Sequence, residues 1–303
     1  MVDTRSSTAR VRAPDARMAV FDALADSAAL LDQQGVITHV NHAWVIGAEV
    51  GDGDPATTGV GVDYLGTCMR AAAAGDSDAA VVAEGIHGVL AGRRRSFEYR
   101  YPCPSPLEDR WFVVRATPLP GGGGALVCHV DVTAAKLAED RLTHQALHDP
   151  LTGLPNREAV LGHLRTALAR RARTGAPAAV LYIDLDGFKP VNDRYGHETG
   201  DRLLARVANR LQRQMRGTDL IGRVGGDEFL AVCEGDAGPL ADRLRAAVGA
   251  PLEIGGERID VGVSIGVAVA DGEAALPTED QIRDLLVEAD RAMYAEKRRH
   301  RSP

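Results

Sequence analysis

Two short runs, Ala28–Leu31 and Val36–Val40, alternate apolar and polar positions around the turn Asp32–Gly35, which predicts a β-hairpin preceded by a short helix at Val20–Leu24. A helical and glycine-rich middle follows, with Trp44, the stretch GDGDPATTGVG at Gly51–Gly61, and a helix near Ala79–Leu90. Three strand-like runs close the unit at Ser96–Tyr101, Trp111–Thr117 and Ala125–Val132. Two strands, several helices and three more strands predict one antiparallel sheet with helices against it, an α+β unit. Residues 1–17 are polar and rich in Arg, Ser and Ala, and are expected to be a disordered tail.

From Thr133 to Leu147 the chain has no Gly or Pro, and Ala135, Ala138, Leu142 and Gln145 recur at heptad-like spacing. That spacing predicts a helical linker able to pair as a coiled coil. After His148 the period changes again. A turn through Asp149–Gly153, with Pro155 suited to a first helical turn, leads into a helix with Val160, Leu161, Leu164 and Leu168 on one face. The run AAVLYIDL at Ala178–Leu185 reads as a buried strand, and Thr199–Met215 as an amphipathic helix through Leu204, Val207, Ala208, Leu211 and Met215. Beyond a hairpin come a helix at Ala237–Val248, strands at Leu252–Ile254 and Ile259–Ala270, and a last helix at Glu279–Lys297 burying Ile282, Leu285, Leu286, Ala289 and Met293. Alternating strands and helices predict an α/β sandwich for this half. The expected organisation is thus tail 1–17, first unit 18–132, linker 133–147 and second unit 148–303.

The 303 residues suffice for two cores, and 45% hydrophobic with 25% charged residues is ordinary for a globular chain. A net charge of -7 and a pI near 5.7 argue against nucleic acid as a partner, and the short basic clusters Arg93–Arg95 and Lys297–Arg299 do not reverse this. No run of 18 apolar residues and no signal-peptide core occurs, so no membrane segment and a cytoplasmic location are expected. Cys68, Cys103, Cys128 and Cys233 lack CxxC spacing and read as buried small hydrophobes.

The chemistry converges on GRVGGDEF at Gly222–Phe229. Flanking apolar residues and two glycines predict a hairpin with its tip at Gly225–Gly226, followed at once by the carboxylates Asp227 and Glu228. Taken alone, this is either a solvated turn or a place where polyphosphate and metal approach the backbone. The strand ending Asp184-Leu185-Asp186-Gly187-Phe188-Lys189 favours the second reading. A carboxylate at a strand end with free carbonyls suits Mg²⁺, and Asp184 beside Asp227 and Glu228 would be too negative without a cation.

These residues carry a family resemblance. GGDEF at Gly225–Phe229, DLDGFKPVNDRYGHETGD at Asp184–Asp201 and HDPLTGLPNR at His148–Arg157 resemble the signatures of the GGDEF-domain diguanylate cyclases, which condense two GTP into cyclic di-GMP. The resemblance implies a nucleotidyl-cyclase-like fold. It also implies that Asp184, the Leu185 carbonyl and Asp227 hold Mg²⁺, with Glu228 at a second ion and Mn²⁺ as an alternative. Asp227 is the implied general base. Asn192 and Asp201 are placed on guanine, His197 near the base, and Lys189, Lys297 and Arg301 on the triphosphate, with Gly225 and Gly226 admitting the phosphates to the backbone. Loop capping is the bland role for Asn192 and His197.

Arg216-Gly217-Thr218-Asp219 resembles the family's RxxD product-inhibition site. Its bland reading is an i,i+3 ion pair, and Arg223 is a further candidate product contact. Because the product has two equivalent phosphodiester bonds, two sites must face each other, which implies a homodimer. Residues 18–132 resemble a PAS sensor by element order and by the endings Val113–Pro118 and Asp131-Val132-Thr133. His39, His87 and His129 are read as satisfied or exposed side chains rather than haem ligands, and no motif encodes the PAS ligand. The alternative function is a catalytically silent GGDEF domain that senses GTP or cyclic di-GMP, which loss of Asp184, Asn192, Asp201, Asp227 or Glu228 would mark; all five are present. With Pro303 as the last residue, no phosphodiesterase domain is expected.

Overall fold

A computed structural model describes residues 16–50, 58–104, 109–270 and 277–301. Residues 1–15 of the expected tail and most of the Gly51–Gly61 stretch lie outside the described residues, whereas Ala16 and Arg17 of that tail already belong to a helix. The chain divides into two compact units, 1–140 and 141–303.

In the N-terminal unit, strands β1 (Ser27–Leu31), β2 (Ile37–Val40), β3 (Phe97–Pro104), β4 (Asp109–Pro118) and β5 (Ala125–Asp131) form one sheet in the order β2-β1-β5-β4-β3, with every pair antiparallel. Helices α1 (Ala16–Asp22), α2 (His42–Val50), α3 (Tyr64–Ala73) and α4 (Ser77–Leu90) complete it. Helix α4 buries Val82, Ile86 and Val89, and Gly85 lets the Phe97 ring approach so closely that a Cβ there would lie 2.2 Å from it. Fully buried Asn41 starts α2. Its Oδ1 accepts from the Ala28 and Trp44 amides (both 2.9 Å) while Nδ2 donates to the Asp26 carbonyl at 2.8 Å, an N-cap that also ties the helix to the sheet.

Helix α5 (Thr133–Leu147) matches the expected linker and buries no residue, so Leu137 and Leu142 remain 46% and 66% exposed. In the C-terminal unit, β6 (Ala178–Asp186), β7 (Leu220–Gly225), β8 (Glu228–Glu234) and β11 (Gly262–Val269) form an antiparallel sheet in the order β11-β6-β8-β7. Short strands β9 (Leu252–Ile254) and β10 (Glu257–Ile259) make a separate two-stranded sheet. Alternation along β6 sends Leu181, Ile183 and Leu185 into one core and Val180 into the other. Helices α8 (His197–Gln212) and α9 (Gly238–Gly249) cover the first face, and α6 (Arg157–Thr174) and α10 (Glu279–Arg301) the second. This is the expected α/β sandwich.

Four local expectations are corrected. The hairpin turns at Gly226–Asp227 rather than Gly225–Gly226: Gly225 ends β7 through a bulge, only Gly226 takes a positive φ (+44°), and Asp227 is itself a turn residue. A short helix, α7 (Phe188–Tyr195), stands where none was predicted, because Pro190 and two turn-forming residues, Asn192 and Asp193, hide about two helical turns. The run 259–270 is two strands, since Asp260–Val261 carries the chain from the small sheet to the large one. Pro155 precedes the Asn156 cap of α6 instead of entering the first turn, and its carbonyl accepts from the Arg223 amide at 2.9 Å.

Gly266 of β11 is where α10 meets the sheet. A Cβ there would lie 2.0 Å from the Ala289 carbonyl and 2.1 Å from the Met293 nitrogen. Because these obstacles are backbone, Gly266→Ala must push the helix off the sheet. The expected loss is about 1–3 kcal/mol, measured by urea unfolding followed by far-UV circular dichroism; an unchanged midpoint would show that α10 is free to shift.

Candidate functional site

Register brings the acids together. In the β6–β8 pairing, Asp184 lies opposite Glu228, and the Leu185 amide donates to the Asp227 carbonyl at 3.3 Å. Directly opposed residues share a face, so Asp184 and Glu228 emerge on the side of the sheet covered by α10. Asp184 is 6% exposed. Burial, reinforced by the charges of Asp227 and Glu228, pushes its carboxyl up, against the opposing pull of Lys297. The Lys297 ammonium, from the last turns of α10, rests directly on Asp184. Glu228 accepts from Tyr182 Oη at 3.1 Å, and burial together with that carboxylate pushes the phenol up to about 12.

Next to this group opens a cleft of about 370 Å³, lined by residues 185–190, Asp227, Lys297 and His300. The sequence-predicted Leu185, Lys189, Asp227 and Lys297 therefore share one cavity. Asn192 and exposed His197 and Asp201 stand apart from its lining, on α7 and the first turns of α8. Asn192 presses against Gly200, where a Cβ would come within 1.8 Å of its Oδ1, and that oxygen is buried with no hydrogen-bond partner among the described residues. Exposed Gly225 and half-buried Asp227 border the open turn. Arg301 ends α10, and its side chain lies outside the described residues.

Several contacts were invisible to sequence patterning. Ser264 Oγ donates to the Asp186 carboxylate at 2.9 Å, and the same carboxylate accepts from His300 Nδ1 at 3.1 Å, joining β6, β11 and α10 behind the acids. The Arg223 guanidinium contacts both Asp149 oxygens at 3.0 Å and the Gly226 carbonyl at 2.9 Å, so it clamps the hairpin turn to the 148–153 turn. Burial alone would raise the Asp149 carboxyl, but hydrogen bonds from Thr152 and Arg223 outweigh it and hold the group below its ordinary value. In the RxxD segment, Asp219 accepts from the Arg216 backbone amide at 3.1 Å, the Asp219 amide donates to the Arg216 carbonyl at 3.0 Å, and the Arg216 side chain is exposed. The segment is a closed turn in which Asp219 binds backbone, in place of a side-chain ion pair.

The acids suit a hard divalent cation, because a buried carboxylate crowded by two others already draws a lysine ammonium onto itself. Among the described residues, no three His, Cys, Asp or Glu side chains converge on one point. A cation held here would thus take carboxylates together with backbone oxygen, the donor mixture that Leu185 and Asp227 supply.

A sequence profile described as diguanylate cyclase, GGDEF domain matches residues 146–303, and one described as PAS fold matches residues 21–137. The chain belongs to the GGDEF family. Among relatives, the diguanylate cyclase TpbB of Pseudomonas aeruginosa (strain UCBPP-PA14) is 36% identical over 217 residues, covering 69% of this chain and 47% of that protein. The bifunctional diguanylate cyclase/cyclic di-GMP phosphodiesterase MucR of P. aeruginosa (strain PAO1) is 40% identical over 169 residues, covering 54% of this chain and 24% of that protein. A crystal structure of a sensory box/GGDEF family protein from Caulobacter crescentus CB15 superposes with a TM-score of 0.46 at 37% identity, covering 50% of this chain and 98% of that one. This GGDEF-family chain spans less than half the length of the two curated relatives. Among its described residues, no helix is long and apolar enough to cross a membrane.

Proposed function

We propose that this chain is a PAS-regulated diguanylate cyclase that condenses two GTP into cyclic di-GMP and pyrophosphate in the cytoplasm. The observation that carries the proposal is the placement of Asp227, Leu185, Lys189 and Lys297 around one cleft, beside the buried Asp184. Asp184, the Leu185 carbonyl and Asp227 would hold Mg²⁺, with Glu228 at a second ion. When bound, the ions supply charge neutralisation on the phosphate oxygens. Asp227, at the tip of the turn, takes the proton of the attacking ribose 3′-hydroxyl. Lys297 keeps the carboxylates together, and with Lys189 and Arg301 it orients the triphosphate for in-line attack. Asn192 donates to the guanine edge and Asp201 accepts from its N1–H and amino group, a pattern adenine cannot return.

Each chain carries one such site, so two chains must meet face to face, and the exposed Leu142 of α5, at heptad spacing with exposed Ala135, Ala138 and Gln145, gives the dimer a seam. The test is mass spectrometry of products after incubating nucleotide-stripped protein with GTP and Mg²⁺. Cyclic di-GMP is the expected product, and its absence from confirmed dimer at several protein concentrations overturns the proposal.

We assign Arg216 and Asp219 to product inhibition, because the closed turn leaves the Arg216 guanidinium exposed for phosphate or guanine. Arg216→Ala is expected to raise the cyclic di-GMP concentration for half-inhibition by about tenfold or more, the worth of one charge-assisted contact. Progress curves at fixed GTP with added cyclic di-GMP measure it; identical inhibition of both proteins removes the assignment.

A further inference from the structure

The N-terminal unit contains a separate cavity of about 370 Å³ that the cyclase chemistry does not use, within the size range of small-molecule sites. Its walls are aromatic: Trp44, Tyr64, Tyr101, Phe112 and His129. His129 sits at the middle of a polar chain, with Nε2 2.9 Å from Tyr64 Oη and Nδ1 2.5 Å from Tyr101 Oη, and the Trp44 ring stands edge-on at 5.3 Å. Burial pulls the imidazole down to about 4, so at neutral pH it has one N–H and one acceptor nitrogen. Both nitrogens are engaged, which leaves none for a haem iron.

Counting hydrogens along this chain shows what it presents to a ligand. The series Tyr64, His129, Tyr101 has two links, but it carries three polar hydrogens: two O–H and one N–H. Whichever way the links point, one donor is left over at an end of the series, on Tyr101 or Tyr64.

Arg110 adds a second unmatched donor. In the β3–β4 register Tyr101 lies opposite Phe112 and Cys103 opposite Arg110, so all four share the face that lines the cavity. The guanidinium carbon is 5.7 Å from the Phe112 ring centre, and Nε is buried with no hydrogen-bond partner among the described residues. Among the described residues lining the cavity there is no Asp or Glu. Unused donors, a cation and flat apolar walls complement an anion whose body is a planar ring.

We propose that this cavity binds a small aromatic carboxylate of one or two fused rings, with its carboxylate on Arg110 and on the Tyr101 hydroxyl, which the bound anion selects as the spare donor through the His129 tautomer, and its ring against the aromatic walls. The inference is independent of the cyclase reading, because its test measures binding alone. The full chain is titrated calorimetrically with 2-naphthoate, 2-naphthamide and octanoate. Saturable binding of 2-naphthoate is expected, about tenfold or more tighter than the uncharged amide and the alkyl acid. Arg110→Met should weaken the acid about tenfold while leaving the amide nearly unchanged, a contrast that a misfolded cavity would not give. Arg110→Lys, which keeps the charge but loses the planar fork, should fall between the two. Equal binding of acid and amide, tighter binding of octanoate, undiminished binding of the acid to Arg110→Met, or no binding of 2-naphthoate and benzoate at millimolar concentration each overturns the proposal.

Discussion

Asp227→Ala is expected to leave the protein folded and to cut cyclic di-GMP synthesis by about 10²–10⁴-fold or more, the range for losing a positioned general base, with metal binding weakened in addition. Stability should hardly move. The Asp227 side chain sits half-buried in an open turn, outside both cores, and its one structural bond in the sheet is made by its backbone carbonyl, which alanine retains. Removing its charge also relieves Asp184, whose carboxyl it helps to push up. The paired measurement is product formation by mass spectrometry and urea unfolding of the same preparation. Wild-type turnover in Asp227→Ala would remove Asp227 from the chemistry, and a large loss of stability would make any lost activity uninformative.

Two residues later the expectation inverts. Phe229 is fully buried, lying opposite Ile183 in the β6–β8 ladder and packed in the core under α8 and α9. Phe229→Ala removes most of an aromatic side chain where strands on both sides prevent collapse, and the expected cost is about 3–5 kcal/mol. That is comparable to the whole stability of many domains. The two tryptophans, Trp44 and Trp111, both belong to the N-terminal unit, so tryptophan fluorescence would report on the wrong core. Far-UV circular dichroism or hydrogen exchange of β6 and β8 amides reports on the right one. A shift below about 1 kcal/mol would mean the core refills the space, contrary to the close packing of interiors. Within one five-residue motif, then, the acids are proposed to serve chemistry, whereas the phenylalanine serves the fold.

Much of both units was legible in the chain because their elements are long and periodic. The linker helix Thr133–Leu147 has the expected bounds, and the strand at 178–186 gains only Asp186. Boundaries failed where local signals conflict. Helix α7 carries a proline and two turn formers in eight residues, yet Val191 anchors it to the core and tertiary packing overrides propensity. At the hairpin, two adjacent glycines offered two equivalent tips, and the bulge after Arg223 selected Gly226–Asp227. The Arg216–Asp219 spacing implied an ion pair in its bland form, but the tight turn gave the carboxylate to a backbone amide instead.

The sequence by itself determined most of the elements and the family signature residues, because hydrophobic periodicity and turn chemistry act over a few neighbouring positions. Only the tertiary structure decided which of those residues meet. Asp184 faces Glu228 through strand register, Lys297 and His300 arrive from the last helix more than a hundred residues away, and Arg223 reaches back to Asp149. The half-buried series Tyr64, His129, Tyr101 and Arg110, whose Nε has no hydrogen-bond partner among the described residues, likewise come from four separate elements that leave no common motif. Such meetings depend on register and on the close packing of helices across a sheet, which sum contributions from distant parts of the chain and leave no local pattern to read.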